Sequence, residues 1–247
     1  MQKSTECSPL RSTIAPGPTM LNGPPARMER FTPMLDAAAD LLLGAACPGC
    51  GRAGLGPCQV CKRQLMTIQP IVRALNFPDG RFPVLVCHRY AAPISQLIIA
   101  HKEHGAWRLA GTFGAAIAAR IGHQFDDHLL QQAILVPVPS DRAAERQRGY
   151  DHAAAIASAA SRLLDVPMHA LLRRVRSAGD QVGRGLAERQ HAQHRTMAIR
   201  DASANLVGRR VIVVDDVVTS GATLSEAVRA LTVGGLRPWF AVCLAAS

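Results

Sequence analysis

The chain has 247 residues, 48% hydrophobic but only 4% aromatic, so its core must be built from Ala, Val, Leu and Ile, a composition that suits helices packed on a parallel sheet. Lys and Arg outnumber Asp and Glu by 28 to 18, a net charge of +10, which fits phosphorylated small molecules, nucleic acid, or simply a soluble surface. No stretch has the roughly 18–20 consecutive apolar residues of a membrane span, and the start MQKSTECSPLRSTIAPGP lacks the apolar centre of a secretory signal, so a cytoplasmic protein is expected.

Residues 1–33 hold Pro9, Pro16, Pro18, Pro24, Pro25 and Pro33 among Ser, Thr and Gly without apolar period, which predicts a disordered tail. Leu35 to Gly44 reads as a short amphipathic helix, and a short polar helix starts near Lys62. Val84 to Tyr90 is a β-branched run typical of a strand. Ile94 to Lys102 and Arg108 to Ile121 read as helices, Ile134 to Val138 as a second strand, and Tyr150 to Leu164 as an Ala-rich helix. Arg173 to Arg200 is Arg-rich and irregular, with a short helix near Leu186 to His194. Val211 to Val214 is a third strand, Thr223 to Leu231 a helix and Pro238 to Leu244 a last strand. Strands alternating with helices predict an α/β fold, a mainly parallel twisted sheet flanked by helices. The expected organisation is a tail over 1–33, a helix and small cysteine subdomain over 34–70, and the α/β domain over 80–247.

Four of the seven cysteines cluster as two Cys-x-x-Cys pairs, Cys47 with Cys50 and Cys58 with Cys61, separated by a short Gly-rich loop. In a reducing compartment such a cluster reads as a metal site rather than as disulfides. Four thiolates make a closed tetrahedral zinc knuckle, structural because no ligand position is left open. An iron–sulfur cluster is the other metal reading. Cys7, Cys87 and Cys243 are scattered, and none of the nine histidines shows ligand spacing.

The strongest chemical signal lies where the third strand ends. Val211 to Val214 run into Asp215 and Asp216, and then, after Val217 and Val218, into the turn Thr219, Ser220, Gly221, Ala222, Thr223 ahead of a helix. In an open α/β sheet, ligands bind beyond the carboxyl ends of the strands. Gly221 permits unusual backbone and close approach, and the turn's amides and hydroxyls at a helix start favour a phosphate. Thr223 and Glu226 also fit the S/T-x-x-E capping box, a competing use of the same hydroxyl. Carboxylates beside a phosphate cradle fit a ligand with phosphate at one end and hydroxyls at the other, since ionised carboxylates accept from ribose hydroxyls. That describes a ribose 5-phosphate activated at C1.

VIVVDDVVTSGAT resembles the signature by which type I phosphoribosyltransferases bind 5-phosphoribosyl-1-pyrophosphate (PRPP). With the cysteine knuckle ahead of it, the chain from about Leu35 onward resembles the ComF family, also called GntX-like or amidophosphoribosyltransferase-like. VPVPSDRAAERQRGYDHAAAIA is similar to that family's V-P-x-P…R-G-[FY]-[ND] segment, Lys102 to Gly105 to its K-x-x-G stretch, and Gln181 to Gly183 with Arg189 to its Q-x-G…R segment. Arg184, Ala192, Asp151 and His152 depart from the common pattern.

The resemblance implies PRPP held with Mg²⁺. Asp215 and Asp216 hold the ribose and stabilise positive charge on it as the catalytic pair; Thr219, Ser220, Gly221, Ala222 and Thr223 hold the 5-phosphate; Lys102 and Arg148 contact pyrophosphate. It also implies a second class of function, because ComF-like proteins are associated with DNA uptake in natural competence. The knuckle and basic surface would then meet single-stranded DNA or a helicase-type partner. The seven arginines between Arg173 and Arg200 suit such an electrostatic footprint, without aromatics interleaved for stacking.

Overall fold

The computed structural model describes residues 46–69, 71–77, 80–141, 146, 149–175, 196–200, 206 and 208–247. The expected tail 1–33, the helices over 35–44 and 186–194, Arg148, and the Gln181, Gly183, Arg184, Arg189 and Ala192 positions lie outside them. In chain order the described elements are α1 (Gln59–Met66), β1 (Ile71–Phe77), β2 (Gly80–Arg89), α2 (Ile94–Glu103), α3 (Leu109–Gly122), α4 (Asp127–Leu130), β3 (Ala133–Pro137), α5 (His152–Leu164), β4 (Leu172–Arg174), β5 (Met197–Ile199), β6 (Arg210–Val218), α6 (Ala222–Val233) and β7 (Arg237–Ala246).

The main sheet has the order β1-β2-β7-β6-β3. β2, β7, β6 and β3 are mutually parallel, and β1 returns antiparallel on β2. Helices cover both faces, as continuous apolar strands such as Ala133–Pro137, buried throughout, require. One face packs Ile212, Val214, Val242 and Leu244 against α2, α3 and α5; the other packs Val211, Val213, Ala241 and Cys243 against α6. The alternation is the period of two along a strand. α3 and α5 meet closely at Gly114, where a Cβ would lie 2.4 Å from that of Ala159 and 2.8 Å from the backbone nitrogen of Ala160.

Several expectations shift. The third strand does not stop at Val214; β6 continues to Val218 and carries both aspartates inside it. The β1 strand, unassigned in the sequence reading, pairs with β2 in a hairpin whose outer part, Gly80–Pro83, precedes the pairing of β2 with β7 at Val84. Ile71, Leu75, Phe77 and Phe82 of this hairpin pack on the α6 face of the core. The cysteine segment packs on the α/β domain: Cys47, Cys61 and Leu65 are buried in the same cluster as Leu97 and Phe113. His88 of β2 clips α1 to the sheet through Nε2 and the Leu65 carbonyl at 2.8 Å.

Candidate functional site

β3 ends at Pro137, opposite Val214. β6 runs on past it with β7 alone beside it, Asp215 opposite Cys243. The side abandoned by β3 is filled by the loop after Pro137 and by the N-terminus of α5. Strand alternation sends the two carboxylates to opposite faces, Asp216 towards α2 and α5 and Asp215 towards the face carrying α6. Both are buried. The sequence reading had them leaving the core at a strand end; instead the strand's extra residues hold them within it.

Asp216 Oδ2 receives Lys102 Nζ at 2.7 Å and His152 Nε2 at 3.1 Å. His152 Nδ1 lies 2.9 Å from Ser140 Oγ, which donates to Asp151 Oδ1 at 3.1 Å. Asp151 is the N-cap of α5 and accepts from the amides of Ala153 and Ala154. A capping residue thus fixes the serine, and the serine fixes the imidazole that holds Asp216. Burial works to raise the Asp216 pKa, but the His152 hydrogen bond and the Lys102 ammonium outweigh it and hold it down at about 2.

Asp215 behaves oppositely. Burial, and then the negative charge of Asp216, push its pKa up to about 8, against the Asp216 amide that it accepts at 2.9 Å. Arg174 of β4, which donates to the Pro139 carbonyl at 3.0 Å, and Lys102 offset part of this. Burial and the neighbouring charge thus push Asp215 up while His152 and Lys102 hold Asp216 down, so the two titrate as a coupled pair. Behind it, His101 packs edge-on to Phe113 and Tyr150, and burial, followed by the neighbouring His152, lowers its pKa to about 4. The Tyr150 hydroxyl donates to the His101 carbonyl.

The turn follows directly. Thr219 and Ser220 are exposed, and Gly221 has φ +78°. Leu75 of the hairpin lies over Gly221, where a Cβ would come within 2.2 Å of its Cδ2. The glycine therefore makes room for a leucine as well as for the turn. Arg73 on the same strand donates to the Ser247 oxygen at 2.6 Å and reaches the Thr219 carbonyl at 3.5 Å.

The expected capping box does not form. Gly221 is the N-cap of α6, without a side chain to bond the first-turn amides, and Ser220 Oγ accepts from the Ala222 amide at 3.4 Å. Thr223 sits inside the helix. Glu226 is buried and accepts from the Met197 amide at 2.9 Å and from Arg229 at 2.6 and 2.8 Å, joining β5 to α6.

The four knuckle cysteines bring their sulfurs within 4.8 Å of one another, with Cys50 and Cys58 at 3.6 Å. A tetrahedral zinc with sulfur ligands at 2.3 Å needs sulfurs about 3.8 Å apart. The turn is built by the Cys47 amide bonded to the Arg52 carbonyl at 2.7 Å and by Gly51 at φ +72°. Burial opposes ionisation of Cys47, but amides, first that of Cys58 at 3.2 Å, bring its pKa down to about 6; that amide-to-sulfur bonding is what a bound thiolate needs. Cys61, in the first turn of α1, is buried and its thiol is pushed up.

Of the residues read from sequence, the structure brings Lys102 to Asp216, sets Thr219 to Thr223 at the end of the same strand, and gathers the four cysteines. Ser140, His152, Arg174, Arg73 and Leu75 were not singled out for the site. His152 was visible only as a departure from the ComF pattern and Arg174 only as one of the seven arginines between Arg173 and Arg200, and the others gave no signal without the register.

Residues 151–242 match the phosphoribosyl transferase domain family. The chain is 28% identical over 145 residues to "Competence protein F" of Haemophilus influenzae, covering 58% of this chain and 63% of that protein. Among solved structures it resembles Leishmania donovani UMP synthase (TM-score 0.34, 18% identity, 75% of this chain and 31% of that one). It also resembles orotate phosphoribosyltransferase from Aeropyrum pernix (TM-score 0.32, 14% identity, 74% of this chain and 78% of that one). The domain match takes in α5, β6, the turn and α6, so the chain carries a phosphoribosyl transferase domain and is a homologue of competence protein F.

Proposed function

We propose that the chain binds PRPP at the end of β6 and transfers its 5-phosphoribosyl group to a nitrogen nucleophile, with one structural zinc in the knuckle. The observation that carries this is the adjacency of the buried Asp216, held by Lys102 and His152, to the Gly221 turn that opens α6. The turn and first-turn amides take the 5-phosphate, and the carboxylates accept from ribose hydroxyls. As the bond from C1 to pyrophosphate breaks and the new C–N bond forms, positive charge on the ring is stabilised by Asp216; pyrophosphate departs, and the nucleophile gives up a proton. Mg²⁺ would enter with PRPP and would neutralise its pyrophosphate. The linear order Ser140, His152, Asp216 does not make a hydrolase, because Ser140 is buried and its hydroxyl is engaged by Asp151.

Incubation with PRPP, Mg²⁺ and a panel of bases and ammonia, followed for pyrophosphate release, tests this. No binding of PRPP overturns it.

A second reading, a non-catalytic module for single-stranded DNA or a helicase-type partner, draws on one surface. Trp107 is 61% exposed with the Arg108 guanidinium 5.2 Å from its ring, and both line a groove of about 490 Å³ with Tyr150, Ser158 and Arg162. A stacking platform between two arginines suits unpaired bases. Salt-sensitive binding of single-stranded DNA, lost in Trp107→Ala, together with PRPP binding without pyrophosphate release, would favour this reading.

A further inference from the structure

We propose that Arg73 is a positioning residue for the phosphate turn: it holds the peptide between Thr219 and Ser220 so that the Ser220 amide is presented to the 5-phosphate. The proposal rests on the reading of this turn as a phosphoribosyl site, and it gives the β1–β2 hairpin a part in binding.

Arg73 stands where packing alone would not put an arginine. Successive side chains of a strand alternate between faces, so Ile71, Arg73, Leu75 and Phe77 share one face of β1. The three apolar members of that row pack on the core beside α6. The one charged member sits between Ile71 and Leu75 and is half-buried. Its guanidinium spans the ends of two neighbouring strands. It donates to the Ser247 oxygen, just past β7, at 2.6 Å, and reaches the Thr219 carbonyl, just past β6, at 3.5 Å. The two strand ends are themselves tied by the Ser247 amide, which donates to the Val218 carbonyl at 3.2 Å. Two residues along β1, Leu75 lies over Gly221. The hairpin thus touches the turn at consecutive points, once through charge and once through packing.

A trans peptide is planar, with its carbonyl and its amide on opposite edges. A guanidinium drawn to the Thr219 carbonyl therefore directs the Ser220 N–H to the opposite side, away from Arg73. Among the described residues nothing accepts that amide, and Ser220 is exposed. The guanidinium keeps its charge at any working pH, and a cation on a carbonyl polarises the peptide and makes its N–H a better donor. Arg73 acts through the peptide, without touching the phosphate itself.

The test uses the full chain. Amide proton shifts are followed by nuclear magnetic resonance during titration with inorganic phosphate, and affinity for ribose 5-phosphate is read by calorimetry. In the unaltered chain the Ser220 amide proton is expected to move downfield as phosphate is added. In Arg73→Met that movement should be lost and ribose 5-phosphate should bind about tenfold more weakly. Arg73→Lys keeps the charge but not the fork that spans two carbonyls; it should show the same two losses, and it serves if the Met variant folds poorly. Survival of the Ser220 shift, or of the ribose 5-phosphate affinity, in a folded variant overturns the proposal, since Arg73 then only ties the hairpin to the sheet. A Ser220 amide that phosphate does not move in the unaltered chain overturns it too. If phosphate moves that amide only while Arg73 is present, yet ribose 5-phosphate does not bind, the role of Arg73 stands and the phosphoribosyl reading falls.

Discussion

Cys47, Cys50, Cys58 and Cys61 come from one short stretch of chain, whereas Lys102, Ser140, His152 and Asp216 come from α2, the loop after β3, α5 and β6. Both clusters gather ionisable groups, but they are stabilised differently. The knuckle closes through its own backbone, by the bond from the Cys47 amide to the Arg52 carbonyl and by Gly51. The strand-end cluster exists only because β3 stops at Pro137 while β6 goes on, leaving a side that other elements must fill. A local cluster can form before the fold does, while a dispersed one is a product of the fold. Damage to the first should therefore appear as lost stability, and damage to the second mainly as lost binding.

The largest expected effect breaks the knuckle. Cys61→Ala, or removal of zinc with a chelator, should cost at least about 3 kcal/mol, because Cys61 and Cys47 sit in the main core beside Leu65. Melting temperature should fall by about 6–12 °C in a domain of this size, and metal analysis should find one zinc per unaltered chain and none in the variant. A variant that melts normally would mean that the knuckle is an ornament on the core.

Next comes Asp216. Asp216→Ala should lower PRPP affinity by roughly two orders of magnitude or more, from charge-assisted contacts worth about 1.5–3 kcal/mol each. It should also cost about 1 kcal/mol of stability, chiefly through His152, since Lys102 can turn out to solvent. Calorimetric titration and a denaturant melt read the two separately. Asp216→Asn should restore stability before it restores binding, and recovery of both together would blur the contrast between the clusters.

Gly221→Ala should cost about 1–2 kcal/mol from its left-handed backbone alone, plus the clash with Leu75. Adding Leu75→Ala should relieve the clash and leave the backbone penalty, a non-additivity that urea melts of the four proteins would show.

The last expected effect is a slope with pH. The Asp215 pKa is raised from 3.8 to about 8 on folding. The folded chain then holds a proton that the unfolded chain has released, so its contribution to stability is full below about pH 4 and is lost as pH rises towards 8. Asp215→Asn should remove that loss, and its melting temperature relative to the unaltered chain should climb between pH 5 and pH 9. A flat difference would mean that Asp215 is ionised throughout.

The contrast also explains what could be read in advance. The alternation of strands and helices, the turn after the aspartates and the paired cysteines were all legible, because each is a pattern within one stretch. The β1 hairpin was not. Ile71–Phe77 is only partly buried along its length, so it lacks the fully apolar run that marked Ala133–Pro137. The extent of β6 was misjudged because charged residues normally end a buried strand, and here Lys102 and His152 make the burial of Asp216 tolerable while burial raises the Asp215 pKa. The capping box was a true local pattern overruled by tertiary structure: Glu226 is taken by Met197 and Arg229, which local spacing does not reveal.

The contact of α3 with α5 at Gly114 has a mechanical consequence. Ala159 lies seven residues along α5 from His152, about 10 Å down the helix axis. α5 is a rod, gripped near its middle by a glycine's missing side chain and carrying at its first residue the imidazole that touches Asp216. A methyl group at Gly114 would have to push the rod outward by about an ångström, since side-chain and backbone atoms of Ala159 already stand within 3 Å of it. The same displacement, carried to the far end, is enough to stretch a 3.1 Å contact past hydrogen-bonding range. The alignment of the acidic pair is thus gauged from a point well outside the site, as a lever's tip is set by its fulcrum.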